Sequence, residues 1–480
     1  MVFSSIEFLL GFLPIFLVIY YLTPVNGKNI ILFLGSLFFY AYGEPEYVLL
    51  LLLSIVLNYF FGRILVPEGK LKKPVRRICF IGILSVNVGM LALFKWAPES
   101  WTLPLGVSFY TFQIISYLAD VYRGEIEPEL SFIKLGTYVS MFPQLVAGPI
   151  VNYSEVSDTL RAPKVSPKDL DAGLKTFVWG LVMKVLIADR LSILWNEIST
   201  IGYISISTPL AWMGALSYSM QIYFDFYGYS LMAIGLGRML GFELPVNFNM
   251  PYMAKSIREF YRRWHMTLGR WFTRYVYIPL GGSRKGMLRT IGNLLLVWIL
   301  TSLWHGGSIN FLIWGMVLCF FISLEKLVDS VISRRRETKN AEAEGVKAER
   351  IDAESEKNKD EGKTTAIFLS ICKHLYVLLL IPVTWMCFAI SKTDDLLIYL
   401  GRMFGLVNGV NINEGVFGGK CEKYGLIMLI GIFLCTPLGE KLFQKGKDRI
   451  WGMVLLAGLF WLCVWYIITM GDNPFMYFRF

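Results

Sequence analysis

The feature that most constrains this chain is a series of apolar runs, many of them nearly as long as a bilayer is thick. They lie at residues 6–23, 29–43, 47–62, 78–95, 170–195, 209–226, 228–242, 290–303, 311–324, 366–391, 424–437 and 449–470. A helix needs about 20 apolar residues to cross the hydrocarbon core. The sequence therefore predicts an all-α polytopic membrane protein with about eleven transmembrane helices, in which residues 1–480 form a single domain.

Two further segments are apolar but carry polar or helix-breaking residues. Residues 104–118 are rich in Ser, Tyr and Gln, which is costly in lipid, so we expect this element to face the protein interior. Residues 132–151 are interrupted by Pro143, Gly148 and Pro149. Such a pattern is typical of a re-entrant or discontinuous helix around a cavity, or of an ordinary span kinked by proline.

The distribution of charge predicts the orientation. Loop 63–77 carries six Lys or Arg residues and should be cytoplasmic, whereas the acidic turn 43–46 should be outside, together with the N-terminus. Residues 334–363 hold nine basic and nine acidic residues. This composition predicts a disordered or loosely helical loop without a catalytic role, within a cytoplasmic region 325–365.

Charge and cysteine usage exclude several classes of function. The net charge of +10 reports cytoplasmic loops and contacts with anionic lipid, so nucleic acid is a poor candidate partner. The seven cysteines include no CxxC pair, and most lie in apolar runs, where they behave as small hydrophobic residues. We expect no disulfide framework, no metal site and no tightly bound cofactor.

Residues 256–315 contain two of the three histidines in the chain, His265 and His305. Wound as one helix, residues 257–275 place aromatic residues on one arc and arginines on the opposite arc, with His265 at the seam. This pattern predicts an interfacial helix that is too charged to span the membrane. At the seam, His265 is either a supporting residue of a site or a side chain that merely reaches the interface.

His305 lies between two apolar runs and is followed by Gly306 and Gly307. A helix break at membrane depth is tolerated only where the backbone lines a cavity or is buried in protein. An ionisable residue at such a break is a candidate functional residue, the alternative being a simple helix cap.

Several motifs together resemble the membrane-bound O-acyltransferase (MBOAT) family, in its bacterial alginate O-acetyltransferase branch. They are GVSFYTFQ at 106–113, FPQLVAGPI at 142–150, YFDFYGYS at 223–230, NFNMPY at 247–252, RWHMTL at 263–268, YIPLGG at 277–282, LWHG at 303–306 and NPFMYFRF at 473–480. The resemblance implies a ring of tilted helices with a thin middle and funnels on both faces. It maps the family's catalytic histidine to His305 and a second important histidine to His265.

The resemblance also implies acyl transfer from a thioester donor, most simply acetyl-CoA. We expect His305 to act as general base and His265 to support the site. We predict that a further set of residues contacts substrate: Trp304, Gln144, Asp225, Tyr223, Arg262 and Arg263. For the arginines the alternative is binding to lipid headgroups, and for Asp225 and Tyr223 an aromatic belt at the interface.

The resemblance implies a multi-pass protein of the bacterial cytoplasmic membrane. It would pass an acyl group outward for O-acetylation of a cell-surface or exported polysaccharide. An extracytoplasmic acyltransferase resembling SGNH hydrolases would complete the transfer. Two alternatives remain: D-alanyl transfer to teichoic acid from a carrier-protein thioester, and a transporter or flippase without chemistry.

Overall fold

The computed structural model describes residues 1–69, 71–97, 101–146, 148–346 and 357–471. Within these ranges the chain is helical and contains no strand. The first ten helices are α1 Leu13–Leu22, α2 Lys28–Gly43, α3 Val48–Ile64, α4 Lys73–Lys95, α5 Val107–Arg123, α6 Phe132–Ser140, α7 Phe142–Leu145, α8 Tyr153–Arg161, α9 Pro167–Val182 and α10 Asp189–Ile201. The remaining helices are α11 Thr208–Met239, α12 Ile257–Arg263, α13 Met266–Phe272, α14 Met287–His305, α15 Ile309–Val346, α16 Lys357–Ala389, α17 Thr393–Met403, α18 Gly415–Leu434, α19 Pro437–Gly446 and α20 Ile450–Met470.

The all-α membrane architecture is confirmed. Among the described residues, six helices are long and apolar enough to cross a bilayer, and a seventh crossing is possible if α18 and α19, bent by 81°, form one broken span. The six lie at Pro45–Ile64, Lys73–Lys95, Met287–His305, Ile309–Arg335, Thr365–Ala389 and Ile450–Met470. The count of about eleven stays a prediction.

Helix α11 forms the centre of the fold and corrects one expectation from the sequence. Residues 209–226 and 228–242 were predicted as separate spans, yet α11 continues through Gly228. A Cβ on Gly228 would lie 2.6 Å from the carbonyl oxygen of Gly180 in α9, and one on Gly235 would lie 2.6 Å from that of Gly173. These glycines therefore bring two helix backbones into contact, which is how small residues pack membrane helices.

The segment of residues 104–118, which is apolar but carries polar residues, lies inside the protein where the structure describes it as α5, as predicted. Residues Val107–Val121 of α5 are all buried. The segment 132–151 is a discontinuous helix, because α6 ends at Ser140 and α7 begins at Phe142. Ala147 of this segment lies outside the described residues.

The positions of the helix ends agree with the prediction that the N-terminus and turn 43–46 lie on one face of the membrane and loop 63–77 on the other. The backbone nitrogen of Met1 lies beside Gly43, so the N-terminus and the acidic turn share one face. At the opposite end of α3, Pro67 lies beside Gly124. Helix α15 continues to Val346 and α16 begins at Lys357, so the described backbone of the charged segment is helical, while residues 347–356 lie outside the described residues.

This grouping makes a labelling prediction. With the exposed Cys372 and Cys421 replaced by Ser, a cysteine at exposed Lys72 should be shielded from an impermeant thiol reagent in intact cells. A cysteine at exposed Glu46, on the opposite face, serves as the matched control and should react. Reaction at Lys72 with protection at Glu46 would reverse the orientation.

Candidate active site

The predicted continuous helix over residues 257–275 is wrong, because the chain breaks between α12 and α13. His265 adopts a left-handed backbone with φ 43°. The N–H of Asn249 donates to the carbonyl of Arg263 at 2.9 Å, and the N–H of Met266 donates to the carbonyl of Asn247 at 2.9 Å. Backbone groups released by the break are therefore satisfied by segment 247–249, as buried backbone requires.

The break carries His265 away from the predicted interface and into the protein. Its side chain is buried, with 4% of its surface exposed. The ring meets Phe226 edge-on with centroids 4.7 Å apart and lies 6.3 Å from the Trp304 ring. Its Nδ1 lies 3.0 Å from Oδ1 of Asn247.

His305 is the last residue of α14, so the predicted helix break at this position is confirmed. Aromatic rings surround its imidazole, with centroid distances of 4.6 Å to Trp304, 5.2 Å to Trp314 and 5.0 Å to Phe388. A Cβ on Gly306 would lie 2.9 Å from the ring of Phe311. The glycine thus lets the chain turn tightly behind the histidine.

Both histidines line one cavity of about 750 Å³. One face of α14 forms a wall of it, through Leu294, Val297, Trp298, Thr301 and His305. At 1.5 Å per residue, this wall extends for about 16 Å. The cavity is large enough for a small-molecule substrate, and its lining combines apolar and aromatic side chains with polar and charged ones.

A basic mouth opens this cavity to solvent. It consists of five cationic side chains on the cavity lining that are exposed or half-buried: Arg258, Arg262, Arg270, Arg274 and Lys326. Arg258 pairs with Asp329, and Arg270 with Glu155 at 3.4 Å. Arg274 pairs with Asp120 at 3.1 Å and with Glu125. Neither Arg262 nor Lys326 forms an ion pair with a residue that the structure describes.

The mouth shares a face with the loops predicted to be cytoplasmic. Glu125, which pairs with Arg274, adjoins Gly124, which contacts Pro67 of loop 63–77. On the other side, Arg258 is held by Asp329 near the charged end of α15. His305 is 5% exposed and is the last residue of α14, so it lies buried at one end of the wall that this helix contributes to the cavity.

Comparison with known proteins identifies the fold. The sequence model of one protein family, described as MBOAT, membrane-bound O-acyltransferase family, matches residues 125–342 of this chain. A probable alginate O-acetylase AlgI of Pseudomonas fluorescens is 40% identical over 332 residues, which cover 68% of this chain and 67% of that protein. The chain belongs to the membrane-bound O-acyltransferase family. It lies in the alginate O-acetylase-like branch and is a multi-pass membrane O-acyltransferase.

Two other proteins that are similar to this chain have different names and cover different shares of it. A peptidoglycan O-acetyltransferase of Helicobacter pylori is 36% identical over 377 residues, covering 68% of this chain and 70% of the relative. A teichoic acid D-alanyltransferase of Bacillus subtilis is 29% identical over 223 residues, covering 44% of this chain and 56% of the relative. Membership in this family sets aside the transporter without chemistry.

Some of the residues predicted from the sequence line the cavity of this O-acyltransferase, and others lie elsewhere in the protein. His265, His305 and Arg262 line the cavity. The other five do not line it. Trp304 stacks on Phe112 beside His305, and Tyr223 stacks on Tyr227. Gln144 donates to the carbonyl of Tyr138 at 2.5 Å, Asp225 pairs with Lys184 at 2.9 Å, and Arg263 pairs with Glu259 at 2.8 Å. Their roles as substrate contacts stay predictions.

Two polar residues that hold the site were missed from the sequence. Asn247 contacts His265, and Glu325 of α15 accepts the N–H groups of Ile257 and Arg258 at 2.6 and 3.1 Å. Glu325 thereby satisfies the first free N–H groups of α12. The motif NFNMPY contained Asn247, but no local periodicity links it to His265. Among the described residues, no group of three His, Cys, Asp or Glu side chains could hold a metal ion.

Proposed function

We propose that this protein takes an acetyl group from a cytoplasmic thioester donor and passes it across the membrane for O-acetylation of a cell-surface or exported polysaccharide. The observation that carries the proposal is one cavity that joins a basic mouth to two buried histidines. The names of the relatives, an alginate O-acetylase and a peptidoglycan O-acetyltransferase, point to acetyl as the group and a polysaccharide as the final acceptor.

The proposed step is transfer between a thioester and a hydroxyl. The acceptor oxygen attacks the thioester carbonyl while His305 takes the hydroxyl proton. A carbon–oxygen bond forms, the carbon–sulfur bond breaks, and the leaving thiolate recovers a proton from the imidazolium. A hydroxyl is a poor nucleophile at neutral pH, whereas imidazole has an ordinary pKa near 6.5 and suits this exchange.

The basic mouth suits a donor that carries negative charge. Phosphate groups of acetyl-CoA would meet Arg262 and Lys326, while its acyl-bearing arm would reach along α14 toward His305. A carrier-protein thioester delivering D-alanine is the alternative donor. The longer and closer match to acetyl-transferring relatives favours acetyl-CoA.

A partner completes this proposal. The part of the chain that the structure describes consists of helices, and its candidate site lies in the cavity between them. An extracytoplasmic acyltransferase of the SGNH-hydrolase type would receive the acetyl group and place it on the polysaccharide. The proposed location is the bacterial cytoplasmic membrane, with the basic mouth facing the cytoplasm.

The proposal is tested with purified protein in vesicles. Acetyl-labelled acetyl-CoA is added on the side of the basic mouth, and release of free CoA thiol is followed together with label transferred to acceptor on the other side. Labelled D-alanyl carrier protein is tested in parallel. Transfer from the carrier protein but not from acetyl-CoA would replace acetyl with D-alanyl, and transfer from neither would contradict the proposal.

A variant of the mouth gives a further prediction. Arg262→Ala should raise KM for acetyl-CoA about fivefold and leave kcat little changed, since one exposed charge contributes roughly 1 kcal/mol. The difference should shrink in high salt, which screens exposed charges. The control is Arg161→Ala, because Arg161 is exposed and lies away from the cavity lining. Equal KM values for the two variants would remove Arg262 from the donor site.

A further inference from the structure

Asn247 lies at the centre of a buried hydrogen-bond network beside the cavity. Its side chain is 1% exposed. Oδ1 lies 3.0 Å from Nδ1 of His265, 3.3 Å from the backbone nitrogen of Thr267 and 2.9 Å from Oγ1 of Thr267. Nδ2 donates to Oγ of Ser230 in α11 at 3.2 Å.

Two backbone N–H groups determine the direction of every bond in this network. The N–H of Thr267 can only donate, so the Asn247 atom facing it is the carbonyl oxygen. The N–H of Ile150 donates to Oγ1 of Thr267 at 3.0 Å, which directs the hydroxyl hydrogen of Thr267 toward the same oxygen. An oxygen fixed as acceptor requires that Nδ1 of His265 be the nitrogen that carries hydrogen.

We propose that Asn247 is a positioning residue that holds His265 as the Nδ1–H tautomer, leaving Nε2 as a hydrogen-bond acceptor for the substrate in the cavity. Nε2 is buried and has no hydrogen-bond partner among the described residues, while His265 lines the cavity. The groups that this nitrogen can receive are hydroxyl or amide hydrogens of a substrate. The substrate part of this inference rests on the proposed function.

A neutral asparagine suits this task better than a carboxylate. The imidazole of His265 lies against the rings of Phe226 and Trp304. The charged and titratable groups that line the same cavity are His305, Glu155, Tyr261, Tyr277, Arg258, Arg262, Arg270, Arg274 and Lys326. Burial disfavours the imidazolium form, whereas a carboxylate at hydrogen-bond distance would favour it. Asparagine orients the ring without adding charge, so the acceptor stays neutral.

The tautomer can be measured directly, because the chain has three histidines. In ¹⁵N-histidine-labelled protein, His265→Gln and His374→Ala assign the signals by subtraction. We expect a protonated Nδ1 and an unprotonated Nε2 for His265. Asn247→Asp should keep this pattern near neutral pH or above, Asn247→Leu should lose it, and Ser230→Ala, which alters only the Nδ2 side, should leave it unchanged. A protonated Nε2 and bare Nδ1 in the unaltered protein would overturn the proposal.

Activity provides the second measurement. In Asn247→Asp the carboxylate raises the pKa of His265, so the imidazolium persists to higher pH and the neutral acceptor appears only above it. The neutral form of His305 is also needed, so the acidic limb of the pH–rate profile should move upward by the amount by which the raised pKa of His265 exceeds that of His305. A purely structural role would lower the rate at every pH without moving that limb, and this outcome would contradict the assignment. The tautomer measurement needs no turnover, so failure of the proposed acetyl transfer would be recognised separately.

Discussion

His305→Ala should lower the acetyl-transfer rate about 10²- to 10⁴-fold or more, because general-base assistance typically contributes that much. The imidazole lies buried in a shell of aromatic rings at one end of the cavity wall, where bulk water cannot readily replace it as a base. The measurement is acetylation of polysaccharide in cells that carry the variant in the membrane at the level of the unaltered protein.

The third histidine provides a matched control for this variant. Nδ1 of His374 lies 3.0 Å from the carbonyl oxygen of Ala254, and its side chain is half-buried away from the cavity lining. His374→Ala should therefore keep activity within a few-fold of the unaltered protein. If His305→Ala also stays within a few-fold, His305 is not the base, and His265, the other histidine of the cavity, becomes the candidate.

The two histidines differ in how much of their setting could be predicted. The helix break at His305 is signalled locally, because Gly306 and Gly307 follow it. The break at His265 has no glycine or proline beside it. The backbone groups around the break bond to Asn247 and Asn249, more than a dozen residues earlier in the chain. The helical pattern of apolar residues therefore runs on through His265 and gives no sign of the break.

Glycine was misleading in α11 for a related reason. Gly228 separates two apolar runs, and a glycine inside a helical pattern usually lowers the helix propensity. Here it provides room for the backbone of α9, and the close contact of the two helices compensates for its flexibility. The membrane class could be predicted because hydropathy is a local sum, whereas this contact joins residues 48 positions apart, Gly180 and Gly228.

Arg262 and Arg263 show how two adjacent residues can differ in position although they were predicted together. Arg262 and Arg263 were predicted together as substrate contacts, but consecutive helical residues point about 100° apart. Arg262 lines the cavity, whereas Arg263 pairs with Glu259 one turn earlier. The spacing of Glu259 and Arg263 is one at which opposite charges commonly pair on a helix, so this difference was accessible from the sequence.

The largest stability effect should come from Lys184, which lies in a π-helical segment, Met183–Ala188, between α9 and α10. Its side chain is 1% exposed, and its ammonium contacts Asp189 at 2.5 Å and Asp225 of α11 at 2.9 Å. Lys184→Met removes the cation and leaves two carboxylates facing each other, one of them buried. Removing one partner of a buried pair costs about 3–5 kcal/mol, so the free energy of unfolding should fall by roughly that amount.

The same substitution at Lys175 tests whether burial is the cause. Lys175 pairs with Asp171 at 2.6 Å and with Asp448 at 2.9 Å, but both carboxylates are exposed. Lys175→Met should cost no more than about 1 kcal/mol. Adding Asp225→Asn to Lys184→Met removes the buried negative charge that Lys184 faced and should recover part of the lost stability. The measurement is the midpoint of unfolding in detergent. If the Lys184 and Lys175 variants unfold at the same midpoint, the ion cluster does not hold α11 to its neighbours.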